Sequence, residues 1–225
     1  MEVPFSFDIY STPGYILQTH NPNPEMSMYA RIAVLIAFLF SAPSYATHHE
    51  SALTDLQEAT EDLITAVTEN REEMTNDRRV LHLTVNGIAR PRFDFRRMSA
   101  LALGKWWRKA TDTEKEQFEK EFSDLVIRTY STAILEYTNQ NIKWNLSNPV
   151  KKKVKVAAKI TDKNGTVIDV VFRMAQSKRY DGWRVYDVTI EGISIILTYR
   201  STFNETARVS GVAGVIDVLK TKNGR

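Results

Sequence analysis

The chain has 225 residues, 43% hydrophobic and 25% charged, a balance that excludes a disordered or fibrous chain and suits one soluble domain. It contains no cysteine, which excludes a disulfide framework, a thiolate nucleophile and cysteine-ligated zinc. The formal charge is +3 over the whole chain.

Residues 1–27 hold Glu2, Asp8 and Glu25, no Lys or Arg, and prolines at Pro4, Pro22 and Pro24. They read as a mis-assigned start or an extension, with translation expected to begin at Met26 or Met28. Residues 28–46 carry the pattern of a secretory signal: Arg31, an apolar run from Ile32 to Phe40, then small residues ending at Ala46. The run is too short to span a bilayer, which needs about 20 residues. Cleavage after Ala46 leaves 47–225 as a single domain with a net charge of +5, and export without a lipid-bearing cysteine implies a periplasmic or secreted protein.

Within that domain, Ser51 to Arg71 places Leu53, Leu56, Leu63, Ile64 and Val67 on one helical face. A second helix follows Asn76-Asp77 and ends before Pro91. Asp94 is the expected N-cap of a third helix, Phe95 to Arg108. A capping box, Thr111-Asp112-Thr113-Glu114, opens the fourth, whose apolar stripe runs through Phe118, Phe122, Leu125, Val126, Tyr130, Ala133, Ile134 and Tyr137.

Strands come next. Lys153 to Ile160 alternates lysines with Val154, Val156, Ala158 and Ile160, and Asp162-Lys163-Asn164-Gly165 reads as a hairpin turn into Thr166 to Met174. A second turn at Tyr180-Asp181-Gly182 leads to Trp183 to Ile190, and Asn141 to Leu146 reads as a flanking strand. The expected inner sheet face is Val156, Ala158, Val170, Phe172, Tyr186, Val188 and Ile190. After the break at Glu191-Gly192 an apolar helix runs through Tyr199-Arg200-Ser201-Thr202-Phe203. Helices followed by an antiparallel meander make an α+β domain.

Little here carries reactive chemistry. His20 precedes the cleavage site, His48-His49 sit at the new N-terminus, and His82 lies in a packed helical segment. No G-x-S-x-G, P-loop, G-x-G-x-x-G or H-E-x-x-H occurs. Ser194 has no histidine to activate it and suits a helix cap instead. Asp187 and Glu191 are a possible carboxylate pair, but ion pairs to Arg184 or Arg200 are the blander reading. The lysines from Lys151 onward are solvent-side strand positions, and export removes them from nucleic acid. The N-x-[ST] triplets at Asn145, Asn164 and Asn204 read as chance matches. Periodicity alone does not distinguish a filled core from a lipid cavity.

Several blocks together resemble one family. These are Phe93-Asp94-Phe95, Leu103-Gly104-Lys105-Trp106-Trp107, Phe118 to Tyr130, Trp183-Arg184-Val185-Tyr186-Asp187-Val188, Glu191-Gly192-Ile193-Ser194 and Tyr199 to Phe203. They stand in the order of the MlaC family, also called the toluene-tolerance auxiliary family, and the similarity spans about 50 to 220. The resemblance implies a monomeric periplasmic phospholipid carrier with neither cofactor nor metal. Its partners would be an inner-membrane ABC transporter bearing an MCE-domain ring and an outer-membrane lipoprotein–porin complex. It implies a helical half packed on a small antiparallel sheet with C-terminal helices, enclosing a hydrophobic lipid cavity. At about 0.8 kcal/mol per CH₂, a two-chain lipid of roughly 30 methylenes needs some 20 kcal/mol of shielding. Tyr130 and Ile193 correspond to family pocket positions, and face assignment adds Leu103, Val126, Val170, Phe172, Val188 and Leu197. The alternative is a cone-fold enzyme of the ketosteroid-isomerase type, for which Asp187 is the one candidate acid or base.

Overall fold

In the computed structural model of the protein, the described residues are 50–136, 141–161, 164–176 and 179–225. The start, the signal segment, His20, His48-His49 and Tyr137 lie outside them, as do Asp162 and Lys163 of the first hairpin turn. Residues Ala46–Arg225 form one compact unit.

Helix α1 covers Glu50–Glu69, and the short α2 covers Arg71–Asn76. Helix α3, Arg78–Ala89, starts where the Asp77 carboxylate accepts from the Arg79 backbone N–H at 2.8 Å. A 3₁₀ turn at Arg90–Arg92 carries Pro91. Helix α4, Phe95–Leu103, is capped by Asp94, which accepts from the Arg97 amide at 3.0 Å.

The third helix is shorter than its apolar pattern suggests. At Gly104 the backbone turns to φ 57° and ψ −119°, and a 3₁₀ turn continues over Gly104–Arg108. The positive φ favours glycine, and the Arg200 guanidinium comes within 3.1 Å of where a Cβ would sit, so a side chain there would also press on it.

Helix α5, Asp112–Glu136, opens with the expected reciprocal cap. Glu114 accepts from the Thr111 amide at 2.8 Å while the Thr111 hydroxyl accepts from the Glu114 amide at 3.2 Å. Its Phe118 and Phe122 meet Tyr199 and Phe203 of helix α6, Ile195–Lys222, with ring centroids 5.2–5.5 Å apart. Both pairs are four residues apart, so two helical faces interlock through aromatic rings. Helix α6 breaks at Gly211 (φ 68°, ψ −169°), and its end is tied back to α5. Asn223 donates to Glu121 Oε2 at 2.8 Å, and Arg225 reaches Glu121 at 2.6 Å and Asp124 at 2.8 Å.

The sheet is an antiparallel meander in the order β1-β2-β3-β4-β5. Its strands are Asn141–Leu146, Lys153–Thr161, Val167–Gln176, Trp183–Ile190 and Ile193–Ser194. The fold is therefore α+β. Glu191 (φ 48°) and Gly192 (φ 78°) form a two-residue turn with both central φ angles positive, so the break is a tight hairpin rather than a direct passage into helix.

One face assignment changes. Arg173 pairs with Asp187 but Met174 with Val185, so Tyr186 is the extra residue of a bulge. It leaves the inner row and lies under the Arg97 guanidinium, 4.0 Å from its ring centre.

Candidate functional site

Cross-strand partners share a face, so the register lays out the inner wall of the sheet in rows. One row runs through all five strands: Trp144, Ala158, Val170, Ile190 and Ile193. The next is Leu146, Val156, Phe172 and Val188, and on the other side lie Ile142, Ile160 and Ile168. Every side chain in these rows is apolar. Val156, Ala158, Val170 and Val188 are buried, whereas Ile142, Trp144, Ile160, Ile168, Phe172 and Ile190 are half-buried. Trp144 leans on Phe172 with ring centres 6.4 Å apart.

The buried core is divided. One cluster is helical, centred on Leu81, Met98, Leu103, Phe118, Phe122, Val126 and Phe203. The other joins the sheet rows to Ala52 and Leu56 of α1 and Ile195 of α6. Phe93, Tyr130 and Tyr199 are half-buried and pack against both, so they line the seam between the helical layer and the sheet. Burial, with Tyr199 nearby, raises the Tyr130 hydroxyl above the ordinary tyrosine range.

The expected site residues fall into three groups. Tyr130 packs on the cluster that contains Val170 and Val188 and is flanked by Phe172. Leu103 and Val126 are buried on the helical side of the seam. Ile193 and Leu197 are 66% and 63% exposed. Ile193 nonetheless belongs to the inner wall, as the edge member of the row containing Val170, while Leu197 sits in the first turn of α6.

Phe93 and Tyr199 were not among the expected site residues. The spacing of Tyr199 and Phe203, four apart on an apolar helix, was the available signal for the second. Phe93 is placed by an isolated parallel bridge to Val185, which local pattern does not announce.

Asp187 is directed away from the inner wall. Paired with Arg173 and Lys155 in register, it lies on the opposite face of the sheet. It accepts from the Ser194 hydroxyl at 2.8 and 2.9 Å and from the Ile196 amide at 3.3 Å. Its cationic neighbour is Arg173 at 3.8 Å, in place of the expected Arg184 or Arg200. Glu191 accepts from the Asp169 amide, so the two carboxylates serve different junctions. Ser194 caps α6, accepting from the Leu197 amide at 3.2 Å.

His82 is half-buried, and burial followed by the Arg128 charge lowers its pKa. Among the described residues no group of three or more His, Cys, Asp or Glu is placed to hold a metal. No described helix is long and apolar enough to cross a membrane. An open concavity of about 530 Å³ lies at the α1–α2 corner, lined by Thr68, Glu69, Arg71, Glu72, Thr75 and Asn76. Its polar, charged lining does not suit an acyl chain.

Known proteins are similar to this chain in sequence or fold. A solved phospholipid-binding protein from Ralstonia solanacearum, in complex with a phospholipid, superposes with a TM-score of 0.70 at 26% identity, over 77% of this chain and 97% of that one. The toluene tolerance protein ttg2D of Pseudomonas putida is 27% identical over 186 residues, 80% of this chain and 82% of its own. The intermembrane phospholipid transport system binding protein MlaC of Haemophilus influenzae is 24% identical over 192 residues, 84% of this chain and 87% of its own. The family profile described as MlaC protein matches residues 57–221, nearly all of the helical layer and the sheet, and the chain belongs to that family.

Proposed function

We propose that this chain is a periplasmic phospholipid carrier, without catalytic activity, that holds acyl chains between the helical layer and the inner wall of the sheet. The observation that carries the reading is the divided core: an all-apolar wall, half of it only partly buried, faces a separate helical cluster across a seam of three aromatic residues. A single packed core has no use for such a division, whereas an acyl chain inserted there meets apolar surface on both sides. The relative of like fold solved with a phospholipid supports phospholipid as the ligand.

On this reading Tyr130, Val170, Phe172 and Val188 line the chains, Leu103 and Val126 back the helical wall, and Ile193 and Leu197 form the rim. The monomeric carrier would receive and deliver lipid at an outer-membrane lipoprotein–porin complex and an inner-membrane ABC transporter with an MCE-domain ring. Hydrophobic shielding of some 20 kcal/mol demands that release be driven by a partner.

Native mass spectrometry of the protein purified from cells is the direct test. A co-purifying mass of a two-chain phospholipid is expected. A clean apo mass, with no uptake from added phospholipid, would overturn the reading.

A further inference from the structure

The outer face of the sheet has a different chemistry. Register places Lys143, Lys159 and Asp169 in one row, and Lys155, Arg173 and Asp187 in another. Between them lie Asn145, Ala157, Val171 and Thr189. Lys153 continues the cationic edge of β2, and Lys151 and Lys152 precede it in the turn. All of these lysines and Arg173 are exposed.

The charge count is decisive. With Arg184, which register sets beside Ala175 and Lys153, this face and its turn carry eight cations against Asp169, Asp187 and Glu191, a balance of +5. Residues 50–225 hold 29 Lys and Arg against 24 Asp and Glu, also +5. The whole positive excess of the domain therefore sits on one side of the sheet, and the remainder is neutral. Among the described residues two of the eight are paired with a carboxylate: Lys159 with Asp169 at 3.5 Å and Arg173 with Asp187 at 3.8 Å. Glu191 lies beside Asp169, at the end of the face away from Lys151–Lys155.

We infer that this face docks the protein onto an anionic phospholipid surface. Its composition favours a bilayer over an acidic protein. Protein interfaces are anchored by buried aromatic and Arg side chains and are poor in lysine. Across β1–β3 this face has no aromatic residue, and its middle row is small. Flexible, hydrated lysines set about 7 Å apart along a strand suit diffuse attraction to a layer of headgroups. Docking this way leaves the inner wall and the seam on the opposite side of the sheet, free of the membrane. It needs no lipid inside the protein, so it stands apart from the carrier reading.

The test is sedimentation of the purified protein with vesicles of phosphatidylcholine, alone or mixed with phosphatidylglycerol. Binding to the anionic vesicles only, and its loss in high salt, are expected. Each lysine near such a surface changes partition roughly five-fold, so Lys153→Gln, Lys155→Gln and Lys159→Gln together should weaken it about 100-fold. A control with the same charge removed elsewhere, Lys105→Gln, Lys109→Gln and Lys222→Gln, should stay within roughly two-fold, since these lie off the face and the field falls off within a Debye length. Equal binding to neutral and anionic vesicles would overturn the inference, as would equal losses in the two triple variants. Absent vesicle binding, with retention on immobilised polyglutamate that the first triple variant loses, would overturn it in favour of an acidic protein partner. Native mass spectrometry of the same variants reports lipid retention separately, so failure here is distinguishable from failure of the carrier reading.

Discussion

Ser194→Ala tests whether the strand-to-helix junction is held by a buried polar knot. The wild-type hydroxyl caps the Leu197 amide at 3.2 Å and donates to Asp187 at 2.8 Å, and both side chains are buried. Loss of the cap costs about 1 kcal/mol. Asp187 then keeps only the Ile196 amide at 3.3 Å and the Arg173 guanidinium at 3.8 Å, and losing a buried donor costs about 1–3 kcal/mol more. The sum is about 2–4 kcal/mol, or a fall in Tm of roughly 5–15 °C for a domain this size. Urea unfolding followed by tryptophan fluorescence measures it, with an unchanged m value as the check that two-state behaviour holds. Ser99→Ala supplies a contrast of opposite sign. Ser99 is fully buried and its hydroxyl has no partner among the described residues, so removing it should be neutral or stabilising. In a double-mutant cycle, Asp187→Ala should cost less in the Ser194→Ala background than alone. A loss below about 0.5 kcal/mol for Ser194→Ala, or an additive cycle, would refute the knot.

Two further outcomes are expected. Ile193→Glu should abolish phospholipid retention in native mass spectrometry while leaving the far-UV spectrum unchanged, because the side chain is 66% exposed yet belongs to the inner row; a retained lipid would remove Ile193 from the site. Glu121→Gln should lower stability near neutral pH but much less near pH 3. Burial raises the Glu121 pKa, but hydrogen bonds from Asn223 and Arg225 outweigh it and leave the carboxyl below its ordinary range. A depressed folded pKa contributes stability above the unfolded value, about 4.3, and that contribution disappears as pH falls through the folded one. Equal losses at pH 7 and pH 3 in urea titrations would show that the carboxylate charge is not what ties the chain end to α5.

Alternation in β2 and the span Trp183–Ile190 were legible because one face of the sheet is wet and the other apolar. The capping box at Thr111 was equally plain, since its two partners lie three residues apart in sequence. Tyr186 was misassigned because the bulge puts the alternation of Trp183–Val185 out of phase with that of Val188 and Ile190, which stay inward, and no local residue type marks it. The helix from Phe95 was overextended because Leu103, Trp106 and Trp107 continue an apolar pattern through a glycine whose conformation answers to Arg200, nearly a hundred residues away. In the candidate site, Val170 and Val188 were readable as inward strand positions. The exposure of Ile193 was not readable, because it depends on what covers the edge of the sheet. The seam itself is a property of two clusters meeting, which no single element encodes.

That division decides where a lipid can enter on the proposed reading. Parting α5 from α6 would break the interlocked rings of Phe118, Phe122, Tyr199 and Phe203, whose centres lie 5.2–5.5 Å apart. Parting the sheet from the helices leaves the helical cluster whole and disturbs Phe93, Tyr130 and Tyr199, provided that Ala52, Leu56 and Ile195, which belong to the sheet cluster, move with the wall. The layers are connected through α1, α6 and the Phe93–Asp94 segment, where the Asp94 amide donates to the Val185 carbonyl at 2.8 Å. Helix α1 contributes Ala52 and Leu56 to the sheet cluster but Val67 to the helical one, and α6 contributes Ile195 to the first and Ile196 and Phe203 to the second. These two helices and the Phe93–Asp94 bridge to β4 are therefore the natural pivots. The Ser194–Asp187 knot fixes the start of α6 to β4, so it holds one pivot in place while the wall moves. Acyl chains then replace contacts across the seam with contacts to both walls, and neither buried cluster has to be exposed to water for the exchange to occur.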